Sequence, residues 1–332
     1  MSPLLVGLTV VAFATSAPEL AVALNATLTG NPGLAVGNVV GSNIANVLLV
    51  LGLSAAILPV LVASSVLRSD IPVVVVLSGL VLAMCLDLRV SRAEGLLLVM
   101  VLVAYVLGTV LAARREASHR SGHEPEGAGA PAAPQSRGSV PRDSALVALG
   151  VALLVVGANW LVDGASQVAR SFGVTDLVIG LTVVAVGTSL PELATSMVAA
   201  LRGERDMAVG NVVGSCVANL GGVLGLSALV AADGIPIEAA ALRFDLPFMT
   251  ATAIALLPVA FTGMVIARWE GVVFVAYYVA YIGYLVLTAT SHPALPAFSD
   301  AMLTFVMPLT VLTLAVLLVQ EAHRRRAESA RT

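Results

Sequence analysis

Two glutamates stand where carboxylates are costly. Glu19 and Glu192 each lie inside an apolar segment of membrane length, and each follows the same hydroxyl pair, Thr15-Ser16 and Thr188-Ser189. On a helix, Ala12, Thr15, Ser16 and Glu19 fall at i, i+3, i+4 and i+7 and share one stripe; Ala185, Thr188, Ser189 and Glu192 repeat it. Pro18 and Pro191 lack an N–H and crowd the preceding turn, so carbonyls around Ala14, Thr15, Gly187 and Thr188 lose intrahelical partners. A freed carbonyl beside a carboxylate is a ligand for a hard cation, and a matched pair of intramembrane carboxylates marks an ion site by default.

A second polar stripe follows each glutamate. Asn38, Ser42 and Asn46 are spaced four apart, as are Asn211, Ser215 and Asn219. Gly37 with Gly41, and Gly210 with Gly214, are small-xxx-small pairs whose sufficient role is close helix packing. Asn43 sits one step off the stripe and is Cys216 in the other copy, so both are left out of the site.

Charge arithmetic narrows the cation. Two carboxylates and several carbonyls supply the roughly six to eight oxygens that Ca²⁺ prefers, and their two charges cancel its own. Mg²⁺ ranks second because it dehydrates reluctantly, and transition metals rank lower because neither stripe carries His or Cys ligands. Neutral hydroxyl, amide and carbonyl oxygens around the glutamates also suit Na⁺, which makes competition between ions possible.

The elements that position these residues are membrane helices. The 332-residue chain is 58% apolar and 11% charged, with a net charge of −3 and a mean hydropathy of +0.99. Ten apolar spans are expected, at about 4–28, 34–60, 71–88, 94–112, 143–167, 175–201, 207–231, 244–265, 270–290 and 300–320. The fold class is all-α and polytopic. Cys85 and Cys216 both fall inside apolar segments and read as small buried residues. Nothing in the balance of charge implies a nucleic acid or a protein partner; the lipid bilayer is the expected surrounding.

Residues 7–54 align with 180–227 without a gap, and about 30 of the 48 positions are identical. The similarity extends to Arg68-Ser69-Asp70-Ile71-Pro72 against Arg243-Phe244-Asp245-Leu246-Pro247. Two membrane halves, 1–112 and 143–290, are therefore expected around a flexible linker at 113–142, with an extra helix and basic tail at 291–332. Arg114, Arg115, Arg120, Arg137 and Arg142 place that linker in the cytoplasm under the positive-inside rule. Counting spans from there turns the second repeat upside down relative to the first, although Arg89 and Arg92 then fall outside. Inverted repeats around a midplane site are an architecture of secondary transporters.

The paired Thr-Ser-x-Pro-Glu segments, each followed by Gly-Asn-Val-Val-Gly-Ser and an Asn four residues after the Ser, resemble the alpha repeats of the Ca²⁺/cation antiporter superfamily, prokaryotic sodium/calcium exchangers in particular. The resemblance runs from the start of the chain to about residue 290. It implies that Glu19 and Glu192 hold Ca²⁺ with the carbonyls of Thr15 and Thr188. It further implies that Ala12, Ser16, Ser42, Ala185, Ser189 and Ser215 give Na⁺ ligands, and that Asn46 and Asn219 line the centre. Ca²⁺ and Na⁺ are then cargo, and no resident cofactor is expected. Asn219 stands where potassium-dependent relatives carry Asp, which argues against K⁺ dependence, and the linker is too short for the calcium-sensing domains of animal exchangers. The segment Leu146 to Val168 precedes the second repeat but has no equivalent before the first, so the first family helix is expected to be missing, a late start codon being the favoured reason.

Three functions follow in order. A Na⁺-driven Ca²⁺ antiporter of the plasma (bacterial inner) membrane uses both carboxylates and all the hydroxyls. A Ca²⁺/H⁺ antiporter is the alternative, with the glutamates carrying protons. A channel or an intramembrane enzyme ranks last, because the inverted repeat encloses its site and the chain offers neither His-Glu-x-x-His nor a nucleophile with its base.

Overall fold

The computed structural model describes residues 11–121 and 140–329 together with Leu8. Its elements are helices and two short ribbons. α1 (Ala12–Thr15) and α2 (Ala17–Leu28) are followed by α3 (Pro32–Ile57), strand β1 (Val60–Leu61), α4 (Val66–Asp87), β2 (Arg89–Val90) and α5 (Arg92–Ser121). The second half contains α6 (Val140–Ser171), α7 (Asp176–Thr188), α8 (Leu190–Leu201), α9 (Asp206–Val230), β3 (Ile235–Pro236), α10 (Ala241–Phe261), β4 (Val265–Ile266) and α11 (Arg268–Ala289); α12 (Leu295–Arg324) ends the bundle.

Among the described residues seven helices are long and apolar enough to cross a membrane, and α7 with α8 makes an eighth bent by 40°. The expected count of ten is thus not reached by this measure. The beginning of the 4–28 span lies outside the described residues, and the 143–167 span falls within α6. The linker is also shorter than expected: α5 runs on to Ser121 and α6 begins at Val140. Ala, Arg and Glu favour helix regardless of polarity, so hydropathy marked where the span ended rather than where the helix did. The rest of the linker lies outside the described residues.

The inversion is visible in the ribbons. β1 pairs with β4 at one end of the bundle and β2 with β3 at the other, both antiparallel, so each half lends one strand to each end. α3 leads into β1, whereas its repeat equivalent α9 leads into β3, and the two helices therefore run in opposite directions. The same exchange appears in packing: Gly52 of α3 backs onto Gly271 and Phe274 of α11, while Gly225 of α9 backs onto Gly95 and Leu98 of α5.

Small residues let the central helices close up. A Cβ on Gly37 would lie 2.5 Å from the Leu177 carbonyl oxygen and 2.9 Å from the Gly180 Cα. One on Gly41 would meet the Ala185 Cβ at 2.7 Å, and one on Gly214 the Ala12 Cβ at 2.8 Å. α3 and α9 are consequently the most enclosed spans, with 78% and 83% of their apolar windows buried.

Asp70 and Asp245 have a partner that sequence alone did not indicate. Tyr105 Oη donates to Asp70 Oδ1 and Tyr281 Oη to Asp245 Oδ1, each at 3.0 Å. The first bond joins α5 to the beginning of α4, and the second joins α11 to the beginning of α10.

Candidate functional site: a crossed pair of buried carboxylates

The glutamate stripes are broken rather than straight. α1 stops at Thr15 and α2 starts at Ala17, leaving Ser16 at φ −81°, ψ 4°; Ser189 interrupts the second repeat at φ −84°, ψ 4°. Pro18 and Pro191 occupy the first turn of the following helix, where a missing N–H is tolerated. Each glutamate thereby stands in the first turn of a new helix, close to its N-terminal backbone amides.

The repeats hold one another's acids. Ser16 Oγ donates to Glu192 Oε1 and Ser189 Oγ to Glu19 Oε1, both at 3.3 Å. Both glutamates have no solvent exposure, and each lies in the other's electrostatic field. Their remaining oxygens, Glu19 Oε2 and Glu192 Oε2, form no hydrogen bond of normal geometry among the described residues. The same is true of the amide atoms of Asn46 and Asn219 and of Ser215 Oγ, all buried. Buried polar atoms ordinarily find partners, and a cluster of unused oxygens around two acids is the arrangement expected of an ion site.

The threonine hydroxyls are already engaged. Thr15 Oγ1 donates to the Val11 carbonyl and Thr188 Oγ1 to the Val184 carbonyl, each at 3.0 Å. Ser42 Oγ lies 3.4 Å from Thr188 Oγ1. Ala12 and Ala185 are buried against Gly214 and Gly41, where only their carbonyls are polar.

Two residues outside the expected ligand set brace the bends. Asn38 Nδ2 donates to the Glu19 carbonyl at 3.0 Å, and Asn211 Nδ2 to the Glu192 carbonyl at 3.3 Å. Asn211 also reaches Thr195 Oγ1 at 3.1 Å and Ser196 Oγ at 2.9 Å. The four-residue spacing signalled Asn38 and Asn211 as members of a stripe; their acceptors are on another helix and left no trace in the spacing. Asn46 opens a π-helical stretch, Asn46–Leu51, and Asn219 lies in its counterpart, Ala218–Leu224. Such widened turns recur at functional sites.

Known proteins resemble this chain in sequence and fold. The family model described as sodium/calcium exchanger protein matches residues 1–111 and 144–287. This chain belongs to the sodium/calcium exchanger family. It is 37% identical over 299 residues to the putative antiporter CaxA of Alkalimonas amylolytica, covering 88% of this chain and 89% of that protein. It is 38% identical over 234 residues to the inner membrane protein YrbG of Escherichia coli (strain K12), covering 69% and 70%. The solved structure of the sodium-calcium exchanger NCX_Mj soaked with Na⁺ and Ca²⁺ superposes with a TM-score of 0.67 at 32% identity, covering 85% of this chain and 87% of that one. The family and the fold are those of cation/Ca²⁺ antiporters embedded in a membrane.

Proposed function

We propose that this protein exchanges Na⁺ for Ca²⁺ across the plasma membrane, with both ions competing for the Glu19–Glu192 pair. The observation that carries the reading is the crossed pair itself: two buried carboxylates, each fixed through one oxygen by the other repeat's serine, each with its second oxygen unengaged. Two bare charges in such a place are costly, and a divalent cation cancels both at once. Thr15 and Thr188 contribute carbonyls to Ca²⁺. Ser16, Ser42, Ser189 and Ser215, with the Ala12 and Ala185 carbonyls, hold Na⁺ around the same acids, and Asn46 and Asn219 line the centre. Because the glutamates are shared, Na⁺ and Ca²⁺ sets exclude each other, which makes exchange obligatory. NCX_Mj, as a sodium-calcium exchanger with the same fold, supports this pairing of ions.

Proton coupling is the second reading, favoured by one fact: full burial of both carboxylates is equally compatible with neutralisation by protons. ⁴⁵Ca²⁺ uptake into proteoliposomes under separate Na⁺ and H⁺ gradients decides between them. Internal Na⁺ should drive uptake, and an inside-positive potential should accelerate it if three Na⁺ leave per Ca²⁺, at about 2.3 kcal/mol per net charge per 100 mV. Uptake driven by a proton gradient in Na⁺-free buffer, with a Na⁺ gradient inert, would replace sodium by protons.

A further inference from the structure

α12 lies beyond the residues matched by the family model, and it covers the outside of the bundle. Its 18-residue apolar window has 0% of its positions buried, against 78% in α3, so most of it meets lipid. One stripe faces inward: Tyr277 Oη of α11 lies 2.5 Å from Thr310 Oγ1, Leu314 packs on the core, and Glu321 is only 7% exposed. Beneath the last turns of that stripe opens a cleft of about 880 Å³ between α12, the beginning of α4 and the end of α10.

The cleft is amphipathic. Leu67, Leu257, Phe261, Met264 and Leu318 line it with apolar surface, while Arg68, Arg324 and Ser64 supply polar donors. Arg324 also bonds Glu321 at 2.9 Å, so the two arginines and one glutamate leave one net positive charge. Arg325 and Arg326 follow directly in sequence. The cleft is at the β1–β4 end, the end that the linker arginines assign to the cytoplasm. A second crevice of about 320 Å³, with an apolar lining that includes Leu314 and Val259, lies under the same stripe closer to the middle of α12.

We propose that this cleft holds an anionic phospholipid, the headgroup phosphate between Arg68 and Arg324 and an acyl chain along the apolar wall formed by Leu257, Phe261 and Leu318. An apolar floor at the depth of a span, capped by net positive charge at the arginine-rich face, complements a singly charged phospholipid and offers little to a water-soluble anion. The lipid would join α12, an appendage to the transport fold, to the Arg68 end of the first half. This site is separate from the glutamate pair and does not depend on which ion drives transport.

The test uses the full-length protein, delipidated in detergent, with native mass spectrometry to count bound lipid. Phosphatidylglycerol should be retained in preference to phosphatidylcholine. Arg68→Gln removes an exposed charge and should lower that preference about fivefold. Leu318→Trp keeps every charge, fills the apolar floor, and should abolish retention of either lipid in this cleft while the protein remains monodisperse. Equal retention of the two lipids by the wild type, or an unchanged preference in both variants, would overturn the proposal. Displacement of phosphatidylglycerol by millimolar inorganic phosphate would overturn it too, reassigning the cleft to a free anion.

Discussion

The two repeats present the same acids but do not hold them equally. In the first, Asn38 Nδ2 has one acceptor, the Glu19 carbonyl. In the second, Asn211 Nδ2 reaches the Glu192 carbonyl and the hydroxyls of Thr195 and Ser196. The cause is local: Val22 and Ala23 occupy the equivalent positions in the first repeat. The glutamates and the serines that reach them are thus duplicated faithfully, whereas the hydroxyls behind them have diverged, and the bend at Ser189 carries more side-chain hydrogen bonds than the bend at Ser16.

The largest expected effect tests the shared part. Glu19→Gln and Glu192→Gln keep shape and remove one charge each, so each should lower Ca²⁺ uptake by about two orders of magnitude, as the loss of about 3 kcal/mol of charge-assisted interaction dictates. Near-wild-type uptake by either variant, correctly inserted, would show that the two acids are not one site. Ser16→Ala and Ser189→Ala should each cost about fivefold in apparent ion affinity, from about 1 kcal/mol per hydrogen bond. Unequal losses would reveal that the crossed bonds differ despite matching at 3.3 Å.

The scaffold difference is tested by making the second repeat like the first. The double variant Thr195→Val, Ser196→Ala leaves the ion-facing residues untouched and should lower thermal stability in detergent by about 1–2 kcal/mol while leaving Ca²⁺ affinity within about threefold. A larger change in affinity than in stability would make these hydroxyls part of the ion site.

The smallest effect concerns another asymmetry. Glu238 stands where the first half has Ala63, and partial burial, with Asp176 nearby, holds its carboxyl above the usual glutamate value of 4.5. A raised folded-state value means that stability falls as pH rises through it, since the folded form binds the proton more tightly. Glu238→Gln should therefore raise the melting temperature slightly at neutral pH, and the advantage should vanish below about pH 4.5. An advantage that persists in acid would point to packing against Gly33 instead.

Much of this molecule could be read without coordinates, and what could not be read has common causes. The spans that the structure also shows were legible because a helix that crosses hydrocarbon must be long and apolar. The continuations of α5 to Ser121 and of α6 back to Val140 were not, because polar helix formers carry no hydropathy signal. Asn38 and Asn211 were legible as polar members of a stripe, while Thr195 and Ser196 were invisible, since they occur in one copy only and the duplication gave them no emphasis.

Sequence by itself determined that two carboxylates lie in apolar segments, that their surroundings are duplicated, and that arginines orient the copies oppositely. These are properties of composition, spacing and internal identity, which depend on no contact between distant residues. The tertiary structure alone decided that Ser16 serves Glu192 and Ser189 serves Glu19, that the asparagine braces hold glutamate carbonyls, and that β1 pairs with β4 rather than with a strand of its own half. Each of those is a pairing between helices or halves whose relative placement depends on packing at Gly37, Gly41 and Gly214, and spacing along one chain does not encode which neighbour a closely packed helix will meet.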